Sequence, residues 1–254
     1  MTEVLVWFLT PVSGSSHHEI MPWASWHARL MVVGWAVLLP VGVLVARFFK
    51  VMPQQDWPRE LDNKQWWHLH RGLQYLGLAL ITLGIYMAWG NARGETLLAV
   101  WHARLGWVVV ALGGLQVLAG WLRGSKGGPG DPSLSGDHYD MTPRRLKFES
   151  VHKPGGYLAL VLSVVVIVFG LMVADAPRWM WLALAMWWIV LALAFYILQR
   201  RGWCIDTYQA IWGPDTNTLA SRRPAVGWGV SRYTAAQWQQ KFRPKALPSD
   251  KPNP

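Results

Sequence analysis

The chain has 254 residues, of which 52% are apolar and only 15% are charged, against about 25% charged residues in ordinary soluble proteins. Its net charge of +10 would suit nucleic acid, but basic residues on so apolar a chain are typical of the cytoplasmic loops of a membrane protein. The single cysteine, Cys204, excludes a disulfide framework and a CxxC metal site. We therefore expect membrane lipid, and not nucleic acid, to surround this protein.

Residues 1–22 form a leading segment that does not have the pattern of a signal peptide. Glu3 stands where basic residues are expected, and the apolar run extends only from Val4 to Leu9. We expect this segment to be extracytoplasmic and to lie at the membrane interface.

Five stretches are long enough, and apolar enough, to cross a hydrocarbon core of about 30 Å as helices. They are residues 25–49, 70–91, 99–122, 153–174 and 179–199. Tryptophan clusters stand at several of the predicted helix starts, as in the aromatic belts of membrane proteins. The sequence predicts an all-α integral membrane protein with a bundle of five transmembrane helices within residues 23–200.

Lysine and arginine are distributed unequally between the two sides of this predicted bundle. Residues 47–71, 123–153 and 200–251 carry twenty of the 24 basic residues. The positive-inside rule therefore places the N-terminus outside and the long loops and C-terminus in the cytoplasm. Residues 201–254 are predicted to be an irregular, basic, Trp-rich tail; a docking surface for a partner is the alternative. The expected location is a bacterial inner membrane.

Each of the first four predicted helices carries a histidine near its N-terminal end: His27, His70, His102 and His152. Because successive helices run in opposite directions, His27 and His102 are expected at the outer face, and His70 and His152 at the cytoplasmic face. A histidine inside a membrane span is costly and is a functional candidate by default. Hydrogen bonding within the bundle explains two depth-matched pairs poorly, so we expect the histidines to bind a cofactor.

The residue types limit which cofactor the histidines can hold. Zinc normally takes a third or fourth ligand from cysteine, histidine or a carboxylate, and only Glu149 lies near a matching depth. Two facing imidazoles suit six-coordinate haem iron, whose other four ligands come from the porphyrin. We therefore predict two non-covalent haem b groups, one near each membrane face. Bis-histidine ligation leaves no position for O₂, which indicates electron transfer.

Small residues and cations accompany the four histidines. Glycines predicted to line the histidine faces, where a flat macrocycle needs space, are Gly34, Gly77, Gly84 and Gly113. Close helix packing explains these glycines equally well. The cations placed to bind haem propionates are Arg29 and Arg104 outside, and Arg71 and Lys153 inside. Snorkelling to the interface is the alternative for each cation. His68 faces about 200° away from His70 and is the less favoured ligand.

Four stretches carry a family resemblance: HARLMVVGWAVLLPVGVLVAR (27–47), WWHLHRGLQ (66–74), HARLGWVVVALGGLQVLAG (102–120) and HKPGGY (152–157). In the order and flanks of their histidines, they resemble the cytochrome b561 family, especially the type that accompanies DOMON domains. The resemblance covers roughly residues 24–174. It implies two b-type haems held by helix pairs one/three and two/four, and electron transfer across a membrane, in several relatives from ascorbate.

The predicted function is transmembrane electron transfer from a cytoplasmic or quinol donor to an extracytoplasmic acceptor. The redox partner would be an ascorbate-like reductant, a quinol or a protein. The alternative is a cytochrome b subunit of a larger complex that exchanges electrons between quinone and a bound partner protein. A membrane scaffold with structural haem is the third hypothesis. The sequence leaves open a homodimer or a larger complex.

Overall fold

The computed structural model describes residues 2–15, 19–92, 95–124, 142–214 and 225–242, which are mostly helical. In chain order the helices are α1 (Thr2–Leu9), α2 (Pro22–Phe48), α3 (Gln65–Ala88), α4 (Leu97–Trp121), α5 (Pro143–Val173), α6 (Arg178–Arg200), α7 (Thr207–Trp212) and α8 (Ala235–Phe242). No strand occurs in these residues, and extended backbone pairs only at isolated bridges.

Four of the described helices, α2, α4, α5 and α6, are long and apolar enough to cross a membrane. Helix α3 has 24 residues but is not among the four; its first turns carry His68, His70, Arg71 and Gln74, which dilute its apolar content. An all-α membrane protein is therefore supported, while the count of five spanning helices stays a prediction.

The bundle is built from two tightly packed helix pairs, α2 with α3 and α4 with α5. Its central core joins all of them through a cluster of buried side chains: Trp35, Ala36, Ile81, Val109, Ala159, Ile167 and Leu184. Large apolar side chains on the outer faces stay exposed, such as Val161 at 63% and Leu193 at 52%. Outward apolar side chains of this kind are what contact with lipid tails requires.

Helix α2 is not a regular α-helix throughout. Its middle section, Val32–Leu38, is π-helical, and the N–H of Leu39 donates to the carbonyl of Gly34, five residues back. Pro40, which follows directly, has no N–H to donate to the preceding turn. Such wide turns inside α-helices often occur at functional sites.

The C-terminal region is folded where the structure describes it, in residues 201–214 and 225–242. It packs against the loop between α2 and α3 in a cluster of buried residues: Val51, Trp57, Ile205, Ala210 and Trp238. The Trp57 indole is fully buried and donates to the carbonyl of Gln209 at 3.2 Å. The prediction of an irregular tail was therefore wrong for these residues, because the loop supplies the apolar surface that the tail lacks by itself.

The N-terminal helix α1 is attached to the start of α6. The side chain of Ser13 donates to the Asp175 carboxylate, and the Arg178 guanidinium donates to the carbonyl of Trp7 at 3.2 Å. The apolar side chains of α1 from Val4 to Leu9 are exposed. An interfacial position for residues 1–22 is compatible with these exposed side chains and stays a prediction.

Lys50, just after α2, is a buried amine at the junction with the C-terminal region. It is 5% exposed, and its Nζ donates to the carbonyl of Ile205 at 3.0 Å. Burial, followed by the positive charge of Lys153, lowers the pKa of Lys50 to about 8, although the thiol of Cys204 and the carboxylates of Glu149 and Asp206 partly oppose the change. The folded protein therefore releases this proton at a lower pH than the unfolded chain.

We predict that the substitution Lys50→Met removes a pH dependence of stability. Between pH 8 and about 10.5 the unfolded chain binds the Lys50 proton more tightly, so the wild-type free energy of unfolding should rise with pH by about 3 kcal/mol. Denaturant unfolding of the detergent-solubilised protein across this range measures the rise. Exposed Lys64 provides the control: Lys64→Met should keep the wild-type slope, and a Lys50→Met variant that also keeps it would contradict the prediction.

Candidate functional site

The two histidines predicted for the outer face come together in the structure. His27 of α2 and His102 of α4 have ring centroids 6.2 Å apart, with ring planes 80° apart. Both stand in the same four-residue motif, Trp-His-Ala-Arg, at the start of their helices. The separation is of the order needed for two imidazoles on opposite sides of one metal atom, since a metal–nitrogen bond to imidazole is about 2 Å.

Three of the four histidines donate from Nδ1 to a backbone carbonyl of a neighbouring helix. The acceptors are Gly84 for His27 at 2.9 Å, Gly42 for His70 at 2.9 Å, and Val166 for His102 at 3.0 Å. A carbonyl only accepts, so the proton sits on Nδ1 and the lone pair of Nε2 is left for another partner. Metal-ligating histidines are oriented by this kind of bond.

The second predicted pair is His70 of α3 and His152 of α5. The His152 ring packs on Phe148, with centroids 4.6 Å apart, and its buried Nδ1 has no hydrogen-bond partner among the described residues. His68 is exposed on the other side of α3. The orienting bond of His70 to Gly42 therefore supports His70 as the ligand on this helix.

The four glycines predicted to make room for a macrocycle lie in contacts between helices. A Cβ on Gly34 would meet Ile81 Cγ1 at 2.6 Å, and a Cβ on Gly113 would meet the Trp35 ring at 3.1 Å. Cβ atoms added to Gly77 and Gly84 would likewise lie 3.1 and 3.3 Å from side chains of α2. The structure thus favours close packing as their role, and a haem-lining role stays a prediction.

A further glycine, Gly170 of α5, lies beside the His27/His102 pair. A Cβ on Gly170 would lie 3.0 Å from Cε1 of His102, so only glycine leaves room for this ring on α5. The signal was in the sequence: Gly170 is 18 residues, or about 27 Å, along the helix from His152, which puts it at the opposite end of the bundle.

The predicted propionate-binding cations differ in their surroundings. Arg29, Arg71 and Arg104 are exposed, and each lies over the ring of a nearby tryptophan, 5.3 to 6.0 Å from its centroid. Lys153 instead pairs with Glu149 at 2.7 Å and donates to the carbonyl of Val226 at 2.7 Å. The Lys153 Nζ is therefore held by an ion pair and a hydrogen bond, whereas the three arginines contact tryptophan rings.

A buried ion-pair network adjoins His152 and was missed by the sequence analysis. Glu149 is 3% exposed and pairs with both Arg145, at 3.1 Å, and Lys153. The spacing of four residues on either side of Glu149 was the available signal, since such residues share one helix face. This network fixes the first turns of α5, on which His152 stands.

The donor set fits haem better than a free metal ion. Among the described residues, no group of three or more histidine, cysteine, aspartate or glutamate side chains could hold a metal. Two facing imidazoles with lone pairs on Nε2 supply two ligands, and a porphyrin supplies the remaining four. His27 and His102 would hold one haem, and His70 and His152 would hold the other.

Comparison with known protein families gives one match. The family model for eukaryotic cytochrome b561 matches residues 26–123. These residues are similar to the cytochrome b561 family. The matched stretch contains His27, His70 and His102 and ends before His152. Similarity to the cytochrome b561 family points to haem b as the cofactor and to a membrane location.

Individual relatives agree with the family assignment. A cytochrome b561, DM13 and DOMON domain-containing protein of Arabidopsis thaliana is 28% identical over 64% of this chain and 16% of its own length. Ferric-chelate reductase 1 is 30% identical in both Bos taurus and Homo sapiens, over 65% of this chain and 24% of each relative. The chain thus matches a quarter or less of these relatives. No solved structure matches the chain.

Proposed function

We propose that this protein carries electrons across a membrane through two bis-histidine haem b groups, one near each face. The observation that supports this most is the set of Nδ1–H bonds at His27, His70 and His102. They hold three imidazoles in the tautomer that ligates through Nε2. About 15 helical residues, or roughly 22 Å, separate the level of His27 from that of His70, which suits two separate sites in one relay.

When bound, haem iron with two imidazole ligands supplies reversible one-electron oxidation and reduction. The protein holds the rings on rigid helices, and the carbonyls of Gly84, Gly42 and Val166 keep each ring from turning. Apolar side chains between the two histidine pairs, which include buried Trp35 and Ile81, exclude water from the space between the two sites. Exposed Arg29 and Arg104 near one pair, and Arg71 near the other, are available for propionates.

The proposed topology has five spanning helices: the four long apolar helices α2, α4, α5 and α6, and α3 as the fifth. The N-terminus and the His27/His102 pair lie outside, because twenty of the 24 basic residues belong to the other side. Residues 1–22, 23–200 and 201–254 are the proposed N-terminal segment, dihaem domain and cytoplasmic region. The relatives reported above are eukaryotic and lend no support to a bacterial membrane in particular.

The proposed donor is an ascorbate-like reductant or a quinol, and the proposed acceptor is a ferric chelate at the outer face. Two relatives are named ferric-chelate reductases, and the basic residues of the cytoplasmic side would attract an anionic reductant. A homodimer is compatible with this function. Copurification of a stoichiometric protein partner would instead favour the subunit of a larger complex.

Proteoliposomes test this function directly. Vesicles carrying the purified protein would enclose ascorbate, with ferric citrate and a ferrous-iron indicator outside. We expect external ferrous iron to appear and the haem absorption to change to the reduced form, in proportion to the haem content. Vesicles with the double variant His27→Ala/His102→Ala are the control and should show neither external reduction nor outer haem. Wild-type vesicles with two haems per chain and no external reduction would overturn the proposal.

A further inference from the structure

Helices α2 and α3 exchange two hydrogen bonds at opposite ends of their contact. His27 of α2 donates to the carbonyl of Gly84 of α3, and His70 of α3 donates to the carbonyl of Gly42 of α2. The arrangement is reciprocal, since each helix supplies one imidazole and one carbonyl. Both bonds can form together only if the distance along α2 from His27 to Gly42 matches the distance along α3 from Gly84 to His70.

The two helices use different numbers of residues for this distance. Fifteen residues separate His27 from Gly42 on α2, and fourteen separate His70 from Gly84 on α3. One residue on a regular α-helix adds about 1.5 Å and about 100° of rotation. A regular α2 would therefore turn either His27 or Gly42 away from its partner on α3.

The π-helical section Val32–Leu38 lies between His27 and Gly42 and removes this mismatch. A bond from residue i to i+5 encloses one residue more than the α-helical bond to i+4, so the section takes up the extra residue. The two helices approach each other closely at this section: a Cβ on Gly34 would lie 3.2 Å from the carbonyl oxygen of Gly77 on α3. The irregular section is therefore part of the contact that it adjusts.

Two side chains satisfy carbonyls in and after the π-helical section. Trp187 of α6 donates from Nε1 to the carbonyl of Ala36 at 2.7 Å, and Gln74 of α3 donates from Nε2 to the carbonyl of Leu39 at 3.1 Å. An unpaired carbonyl inside a membrane costs several kcal/mol, and Pro40 cannot supply an N–H here. These two bonds stabilise the wide turn where it is.

We propose that the π-helical section sets the register of α2 on α3, so that His27 and His70 are both held by the facing helix, and that Trp187 and Gln74 are positioning residues for it. The importance of this register for haem rests on the proposed function. The register itself is a property of the helices and is measured without haem.

The first test removes one residue from the section. Deleting Val33, whose side chain is 41% exposed, should turn the section into regular α-helix and shift one end of α2 against α3. Disulfide cross-linking reports each end in a Cys204→Ala background. The cysteine pairs are Leu30→Cys with Gly84→Cys before the section, and Leu38→Cys with Gly77→Cys at its end. Cβ positions in these pairs lie 3.3 and 3.4 Å apart, near the distance that a disulfide needs.

The full-length protein should cross-link at both pairs, and the deletion variant at one of them only. Val33→Ala keeps the residue count and should behave like the full-length protein. Inserting one alanine after Val37 of the deletion variant restores the count and should restore both cross-links. The deletion variant could fail to fold while the reinsertion variant folds and cross-links at both ends. That result would still show that the number of residues between His27 and Gly42 is required. Two cross-links in the deletion variant would overturn the proposal.

Haem spectra provide the second readout and separate this proposal from the proposed function. The deletion variant without the engineered cysteine pairs should bind one haem per chain instead of two. The reinsertion variant without these pairs should bind two. If no variant binds haem but the cross-links change as expected, the proposed function fails and the register proposal stands. If the deletion variant binds two haems with wild-type spectra, the register proposal fails and the function stands.

A third measurement tests Trp187 as a positioning residue. Trp187→Phe keeps an aromatic side chain at this position but removes the indole N–H, so amide hydrogen exchange in residues 32–39 should accelerate by about tenfold, the value of one lost hydrogen bond. Trp181→Phe on the same helix is the matched control, because the Trp181 Nε1 has no hydrogen-bond partner in the described residues. Equal exchange in the two variants would overturn the role of Trp187.

Discussion

Replacing His102 with alanine is expected to lower the haem content from two haems per chain to one. The variant loses one of the two facing imidazoles of the outer pair, whose ring centroids are 6.2 Å apart. The pair His70 and His152 stands on other helices and keeps its own haem. A pyridine haemochrome assay on purified protein, with reduced-minus-oxidised spectra, measures the loss. His27→Ala should remove the same haem, with the same remaining spectrum.

Which histidine substitutions remove the same haem is the most informative part of this expected result. His70→Ala and His152→Ala should both remove the other haem and leave a spectrum that differs from that of His102→Ala. His68→Ala is the matched control, since exposed His68 lies two residues from His70 and should leave both haems bound. Unchanged haem content in the His102 variant would exclude His102 as a ligand.

The substitution Glu149→Gln is expected to destabilise the protein by about 3–5 kcal/mol, the usual cost of removing one partner from a buried ion pair. Glu149 is 3% exposed and neutralises both Arg145 and Lys153. With glutamine in its place, the buried Arg145 guanidinium and the Lys153 amine stay charged beside each other without a counter-charge. Thermal unfolding in detergent, followed by circular dichroism, should show a clearly lower midpoint.

An exposed ion pair provides the comparison for Glu149. Arg59, whose side chain is 88% exposed, pairs with Asp56 at 3.7 Å, and Arg59→Gln should change the free energy of unfolding by less than about 1 kcal/mol. If Glu149→Gln has an effect as small as Arg59→Gln, the ion-pair network does not stabilise α5. A haem assay on the same samples shows whether His152, three residues along the helix, is affected.

The helices were largely predictable because membrane spans carry long apolar runs. The predicted span 99–122 nearly coincides with Leu97–Trp121, and 179–199 with Arg178–Arg200. Helix α5 is the exception, since it begins at Pro143, ten residues before the predicted span. Thr142 caps this helix by accepting from the N–H of Arg145, and the polar turns that follow carry no apolar signal.

The histidine pairs were predictable for a different reason. Polar residues are rare in membrane spans, so four histidines near helix starts stand out, and the alternating direction of the helices groups them by face. The structure brings His27 to His102, as that argument requires. The carbonyl acceptors could not be predicted, because every residue has a carbonyl and only the packing of two helices selects Gly84 or Gly42.

The helical class, most of the apolar spans and the pairing of His27 with His102 could be predicted from the sequence, because each depends on residue type and on spacing along single helices. Features that depend on contacts between distant segments became visible only once the helices were packed together. The loop that carries Trp57 covers the C-terminal region, and Glu149 pairs with two cations. The proposed role of the π-helical section is to align the fifteen-residue segment of α2 with the fourteen-residue segment of α3. Sequence periodicity describes one helix at a time, whereas register belongs to a pair of helices.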